Sequence, residues 1–101
     1  MTITPLELAE LAESLGMAVR PLDRRTAAAG FSRSQTRHLL RISHVLEQAQ
    51  RLFGDRARGL EWLKHQNRAL SFDTPLAQLE TRVGAKRVLA LLRRIDDRMF
   101  A

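Results

Sequence analysis

Cysteine is absent from this sequence of 101 residues, which excludes disulfides and metal sites built on thiolates. Aromatic residues are few, with one tryptophan and no tyrosine. No apolar run approaches the roughly 18 residues that a membrane span needs. The initial segment MTITPLELAEL lacks the basic and then apolar pattern of a secretory signal. We therefore expect a cytoplasmic protein that does not interact with membranes.

Residues that could carry catalysis are scattered. The histidines, His38, His44 and His65, have neither the spacing of metal ligands nor a cluster of acids as partners. The five glycines are isolated, so no glycine-rich phosphate loop is present. Asp96 and Asp97 are adjacent and would lie about 100° apart on a helix, which rules out a facing carboxylate pair. The sequence predicts no catalytic residue, no metal site and no cofactor, and hence a protein that is not an enzyme.

The sequence is instead rich in residues that form helices. Hydrophobic residues make up 45% of it, and leucine and alanine dominate them. No segment alternates with period two for long enough to predict a strand. Capping residues and glycines divide the chain into helical segments. We predict an all-α fold of five or six helices. The first runs from Thr4-Pro5 to Gly16, the second covers 23–29, and the third runs from the capping box at Ser32 to Gly54. A fourth helix begins at Asp55, a fifth runs from Thr74-Pro75 to about Arg82, and Gly84 separates it from the final helix.

Positive charge is concentrated in one segment of a chain whose net charge is +6. Residues 20–41 hold six arginines against Asp23, a net of +5. Within this segment, TAAAGFSRSQTRHLL (26–40) has the small-residue helix, glycine turn and capped polar helix of a helix-turn-helix. A solvated helix face would show the same run of charge. The predicted contacts to DNA bases and phosphates are Arg33, Ser34, Gln35 and Arg37, with Arg20, Arg24 and Arg25 on flanking phosphates.

The last sixteen residues, KRVLALLRRIDDRMFA, form an amphipathic pattern. Val88, Leu91, Leu92, Ile95 and Met99 recur at helical spacing on one face. Two interpretations stay open for the apolar residues that follow Ile95. They complete the core of the chain itself, or they dock into a partner.

From about Ile42 to Ala101, the sequence resembles the toxin-binding domain of the Xre/MbcA/ParS-type antitoxins. The family pattern has a helix ending in Phe-Gly-Asp, then Trp-Leu, Asn-x-Ala-Leu, Thr-Pro-Leu, a glycine and a terminal helix. These motifs correspond here to Phe53-Gly54-Asp55, Trp62-Leu63, 67–70, 74–76, Gly84 and 95–101. The chain departs from the pattern at Gln66, Phe72 and Arg98, where the family frequently has proline, glycine and glycine. Arg98 favours a helix that continues, or adds a cost to the turn that glycine would allow.

The resemblance implies an antitoxin of a type II toxin–antitoxin system. The partner would be a RES-domain toxin that consumes NAD⁺ or transfers ADP-ribose, and the terminal segment would lie in its NAD⁺ pocket. Operator DNA and a homodimer or toxin–antitoxin hetero-oligomer are implied as well. The implied domains are a helix-turn-helix-like region (1–45) and a small helical toxin-binding domain (46–101). The residues implied to contact the toxin are Arg93, Arg94, Ile95, Asp96, Asp97, Arg98, Met99, Phe100 and Ala101.

An alternative function is a standalone helix-turn-helix transcriptional regulator. In that case the C-terminal half would only mediate dimerisation. Purified protein would bind DNA tightly, selectively and with strong salt dependence, and no toxin would copurify with it.

Overall fold

The computed structural model describes residues 5–16 and 32–100 of the chain. Within these ranges it contains α1 (Pro5–Ser14), α2 (Arg33–Phe53), α3 (Arg56–Lys64), a 3-10 turn (Arg68–Leu70), α4 (Pro75–Gln78) and α5 (Arg82–Phe100), and no strand. The predicted all-α fold is therefore confirmed. The helix predicted over 23–29 lies outside the described residues. None of the helices described is both long and apolar enough to cross a membrane.

The chain divides into two compact units, Met1–Ser43 and His44–Ala101, and α2 passes from one to the other. The functional division predicted after residue 45 stays a prediction. In the first unit the buried apolar side chains are Ala9, Leu11, Ala12, Leu39 and Ile42. In the second unit they are Val45, Leu46, Ala49, Leu63, Leu70, Leu79, Ala85, Val88, Leu91 and Leu92. The side chains described as buried are apolar, so burial of apolar surface stabilises both units.

Three predicted helix starts, at Ser32, Asp55 and Thr74, are confirmed by their capping bonds, whereas the predicted cap Thr4 lies outside the described residues. At α2, the Gln35 backbone N–H donates to Ser32 Oγ (3.1 Å), and the Ser32 N–H donates to Gln35 Oε1 (2.9 Å). At α3, the Arg58 N–H donates to Asp55 Oδ1 (2.8 Å). At α4, the Ala77 N–H donates to Thr74 Oγ1 (3.1 Å). Each bond satisfies an N–H group that has no partner within its own helix.

The prediction that Gly84 separates two helices is wrong. α4 ends at Gln78, earlier than predicted, and α5 begins at Arg82, so Gly84 lies in the first turn of α5. Thr81 provides the start signal, because its Oγ1 accepts the Gly84 N–H (3.0 Å). A Cβ atom at Gly84 would lie 2.7 Å from the Gln78 carbonyl carbon, closer than such atoms approach. Glycine is needed here for the close approach of α4 to α5.

We expect the replacement Gly84→Ala to destabilise the second unit, although alanine is the better helix former. Helix propensity alone would stabilise this position by about 1 kcal/mol. The overlap with the Gln78 backbone costs more, since overpacking typically costs about 1–3 kcal/mol. Urea unfolding followed by the fluorescence of Trp62, the sole tryptophan, measures the sign. A variant more stable than the parent would contradict the close approach.

Candidate functional site

The apolar face of α5 leaves the core of its own unit near the end of the helix. Val88, Leu91 and Leu92 are buried, with exposures of 0%, 8% and 4%. Ile95, one turn later, is half-buried, and Met99 is 57% exposed. The apolar stripe that the sequence predicts therefore lies on one continuous helix, but its residues are buried only at the beginning of the stripe. The last turn presents an apolar side chain to the surroundings.

A cavity of about 490 Å³ lies beside Met99. Met99 lines it together with Phe53 and Trp62, whose rings are 5.6 Å apart between centroids and tilted by 38°. Both rings are half-buried. Leu52, Arg58, Glu61 and His65 complete the lining. This surface combines aromatic faces with a flexible thioether, a composition suited to packing against an apolar partner.

Charged residues of α5 lie on two other sides of the helix. Arg93 and Asp96 line a cavity of about 450 Å³ formed with the second half of α2, together with His44 and Arg51. Arg94 lines a different cavity, of about 650 Å³, next to the loop after the 3-10 turn. Arg93, Arg94, Asp96, Asp97 and Arg98 are all exposed. The structure thus distributes the predicted toxin-binding residues around α5 and does not gather them into one flat patch.

The loop over residues 67–73 is closed by hydrogen bonds. Asn67 Oδ1 accepts the Ala69 N–H (3.0 Å), while the Asn67 N–H donates to the Asp73 carbonyl (2.9 Å). The Phe72 N–H donates to the Asn67 carbonyl (2.9 Å). Leu70 is buried at 8% exposure and anchors the loop to the core. These contacts explain the spacing Asn-x-Ala-Leu, which combines a cap with a buried anchor.

A family of known proteins matches this part of the chain. Residues 48–98 match the model of the antitoxin Xre/MbcA/ParS C-terminal toxin-binding domain. The chain belongs to this antitoxin family. The match includes the Phe53–Trp62 pair, the closed loop and α5 as far as Arg98.

Two curated relatives agree with the assignment to the Xre/MbcA/ParS family. An Antitoxin Xre of Photorhabdus laumondii is 32% identical over 83 residues, which are 80% of this chain and 56% of that protein. An Antitoxin Xre of Yersinia enterocolitica is 30% identical over 95 residues, which are 92% of this chain and 64% of that protein. The chain therefore spans less than two thirds of the length of either relative.

The structure shows which of the two alternatives the chain adopts at Arg98, the position where the resemblance leads one to expect a glycine. α5 continues through Arg98 and ends at Phe100, so this chain adopts the first of the two alternatives, a continued helix. Ala101 lies outside the described residues. Met99 is consequently placed by helical geometry one turn beyond Ile95.

Some of the residues that the sequence predicts to contact DNA lie within the described part of the chain. Arg33, Ser34 and Arg37 are exposed on the first turns of α2. Gln35 is exposed as well, and its side-chain oxygen forms the capping box with Ser32. Arg20, Arg24 and Arg25 lie outside the described residues. DNA binding stays a prediction.

Two features were not predicted from the sequence: the position of Phe53 and Trp62 beside Met99, and the exposed ring of Phe72. The motifs Phe-Gly-Asp and Trp-Leu carried a signal for the first pair, since both belong to the family pattern. Within residues 5–16 and 32–100, no group of three or more histidine and acidic side chains is arranged so that it could hold a metal ion. His65 Nδ1 lies 2.6 Å from the Glu61 carbonyl oxygen, within its own helix turn.

Proposed function

We propose that this chain is the antitoxin of a type II toxin–antitoxin pair. It neutralises a RES-domain, NAD⁺-consuming toxin by inserting residues 93–101 into the active site of the toxin. The observation that carries the proposal is the exposed Met99 at the end of a stripe that begins with the buried Val88, Leu91 and Leu92. Family membership supports it, because the matched segment is described as toxin-binding.

The chemistry of α5 suits a pocket that holds a dinucleotide. Ile95, Met99 and Phe100 supply apolar anchors of the helix-in-groove kind. The carboxylates of Asp96 and Asp97 are exposed and would pair with the cationic groups that bind the phosphates of NAD⁺. Arg93, Arg94 and Arg98 would pair with acidic residues at the rim of the pocket. Inhibition of this kind needs no catalysis by the antitoxin.

The distribution of these residues favours a concave partner. Arg93 and Asp96 lie on one side of α5, Arg94 on another, and Met99 beside the aromatic pair. A flat surface could contact only one side of the helix. A cavity that encloses the last turns of α5 contacts several sides of the helix. Active sites are cavities of this kind.

Coexpression with a RES-domain toxin tests the proposal. The toxin alone arrests growth and depletes cellular NAD⁺; with the chain present, growth and NAD⁺ return to the level of an empty-vector control. A catalytically dead toxin, purified with a tag, should still retain the chain. A complex that forms but continues to consume NAD⁺ would contradict insertion into the active site.

We propose operator binding as a second activity, carried out by a homodimer or a toxin–antitoxin hetero-oligomer. The exposed Arg33, Ser34 and Arg37 on the capped end of α2 support it, since such residues reach base edges and phosphates. The concentration of arginines in residues 20–41 adds an electrostatic attraction to DNA.

Arg33→Ala and Arg37→Ala are each expected to weaken DNA binding and, where the arginine contacts a phosphate, to lower the slope of log affinity against log salt by about 1. Arg56→Ala, an exposed arginine on α3, is the matched control and should leave the slope unchanged. Fluorescence anisotropy with operator DNA at several salt concentrations measures both quantities. If the chain binds DNA but no toxin copurifies with it, the standalone regulator is the better description.

A further inference from the structure

We propose that Phe72 is a second anchor for the toxin, separate from the inserted segment. Its ring would enter an apolar pocket on an acidic surface of the toxin, with Arg87 and Arg94 pairing with acids around that pocket. The proposal rests on the proposed function, because it takes the toxin as the partner.

The backbone of Phe72 is in a conformation that costs free energy. Its φ is +67°, and that of the preceding Ser71 is +57°. L-residues rarely adopt this left-handed region, and a bulky residue there is an outlier. The hydrogen bond that fixes the position runs from the Phe72 backbone N–H to the Asn67 carbonyl, so glycine would form it equally well. The loop therefore does not require a phenylalanine.

The Phe72 ring contributes little to the core. Its exposure is 64%, higher than that of Met99. In the isolated chain, both the strained backbone of Phe72 and the exposure of its apolar ring to water are unfavourable. Strain of this kind persists where function requires the residue, and large aromatic side chains dominate the energetics of interfaces.

The loop fixes the backbone that carries the ring before any partner arrives. The Asn67 N–H bonds to the Asp73 carbonyl, and Leu70 is buried beneath the loop. The Asp73 carboxylate accepts from the Thr74 N–H (3.0 Å) and from Gln78 Nε2 (2.8 Å), which ties the loop to α4. A loop backbone that is already ordered loses little conformational entropy on binding.

The charge next to the loop identifies the kind of partner. Arg87 and Arg94 line the cavity of about 650 Å³ that Ser71 and Asp73 also line. Asp73 is the one carboxylate among the residues that line this cavity, so the two arginines outnumber it, and both arginines are exposed. This edge of the second unit, the surface around the cavity, therefore attracts an acidic surface of a partner. A second copy of a chain with a net charge of +6 would oppose the same arginines to each other, so a copy is disfavoured.

The position of Arg94 connects this edge to the proposed insertion. Arg94 lines the cavity beside the Phe72 loop and also belongs to residues 93–101. Arg87 lies two turns earlier on the same side of α5. A toxin that encloses the end of α5 would thus extend along this side of the helix towards the loop, and Phe72 would add affinity for a particular toxin.

Phe72→Gly tests the inference, because strain relief and loss of an anchor act in opposite directions. We expect the melting temperature to be unchanged or higher and the dissociation constant for the toxin to rise about 10- to 30-fold. Val83→Ala removes another exposed apolar side chain, 61% exposed, and should change the affinity less than about 3-fold. Arg87→Glu should also weaken binding. Titration calorimetry with purified toxin measures the affinities.

The outcomes separate this inference from the proposed function. At saturating concentration the Phe72→Gly variant should still abolish NAD⁺ consumption, since residues 93–101 are intact. Unchanged affinity for the toxin would overturn the second anchor while leaving the insertion in place. A loss of self-association or of DNA binding in this variant, with unchanged affinity for the toxin, would also overturn it and assign Phe72 to those partners. Failure of the parent chain to bind the toxin would instead overturn the proposed function.

Discussion

A variant that lacks residues 98–101 is expected to leave the toxin active while remaining folded. The deletion removes Met99, whose side chain is already 57% exposed, so the core of the second unit loses little. Binding loses the apolar anchors Met99 and Phe100 and keeps Ile95, and loss of central anchors at an interface costs about 2 kcal/mol or more. We expect the dissociation constant for the toxin to rise at least about 30-fold. The melting temperature should change by no more than about 4 °C.

Two measurements on purified proteins check this result: NAD⁺ consumption by the toxin at increasing antitoxin concentration, and thermal unfolding of the antitoxin alone. Met99→Asp should reproduce much of the effect by placing a charge where an apolar contact is needed. Met99→Leu, which conserves size and polarity, is the matched control and should inhibit almost normally. A truncated chain that inhibits the toxin as well as the parent would contradict the role given to the segment.

Leu79→Ala is expected to abolish neutralisation by a different route, the loss of the fold. Leu79 is fully buried and is the C-cap residue of α4, the short helix that contacts both α3 and α5. Truncating a buried leucine typically costs about 2–5 kcal/mol. Total stabilities are only about 5–15 kcal/mol, so this is a large share for a small unit. Without α4 in place, α5 would lose the support that positions its last turns.

Urea unfolding followed by Trp62 fluorescence measures this cost, because Trp62 lies in the same unit as Leu79. Val83→Ala is the control in the same unit, since it truncates an apolar side chain that is 61% exposed. Its cost should be close to the roughly 0.5 kcal/mol of a surface substitution. A cost below about 1 kcal/mol for Leu79→Ala would show that α4 does not hold the unit together.

The starts of α2, α3 and α4 could be predicted from the sequence because their causes are local. The bonds at Ser32, Asp55 and Thr74 each join residues three apart, so the capping residue and its partner are visible in the sequence. The apolar spacing of α5 was equally visible, and it predicts a helix through Met99. Secondary structure and the apolar face of the last helix therefore followed from composition and spacing.

The features that sequence reasoning missed depend on packing between elements. Gly84 carried the signal of a helix break, but its role is set by the Gln78 backbone beside it. Periodicity places Met99 on the apolar face and does not reveal that the core ends near Ile95. The strain at Phe72 arises from closing the loop between Asn67 and Asp73, which no local pattern reports. The proposed binding surface could be assigned to α5 from the sequence, whereas the distribution of its residues over three sides of the helix could not.

The most direct test of the central claim is competition between the antitoxin and NAD⁺ for the toxin. The dissociation constant of the complex is measured with increasing amounts of a non-hydrolysable NAD⁺ analogue. If α5 occupies the dinucleotide pocket, the apparent dissociation constant rises in proportion to the analogue once the analogue exceeds its own dissociation constant. A dissociation constant that stays constant at saturating analogue would mean that toxin, analogue and antitoxin bind together, and it would contradict the account.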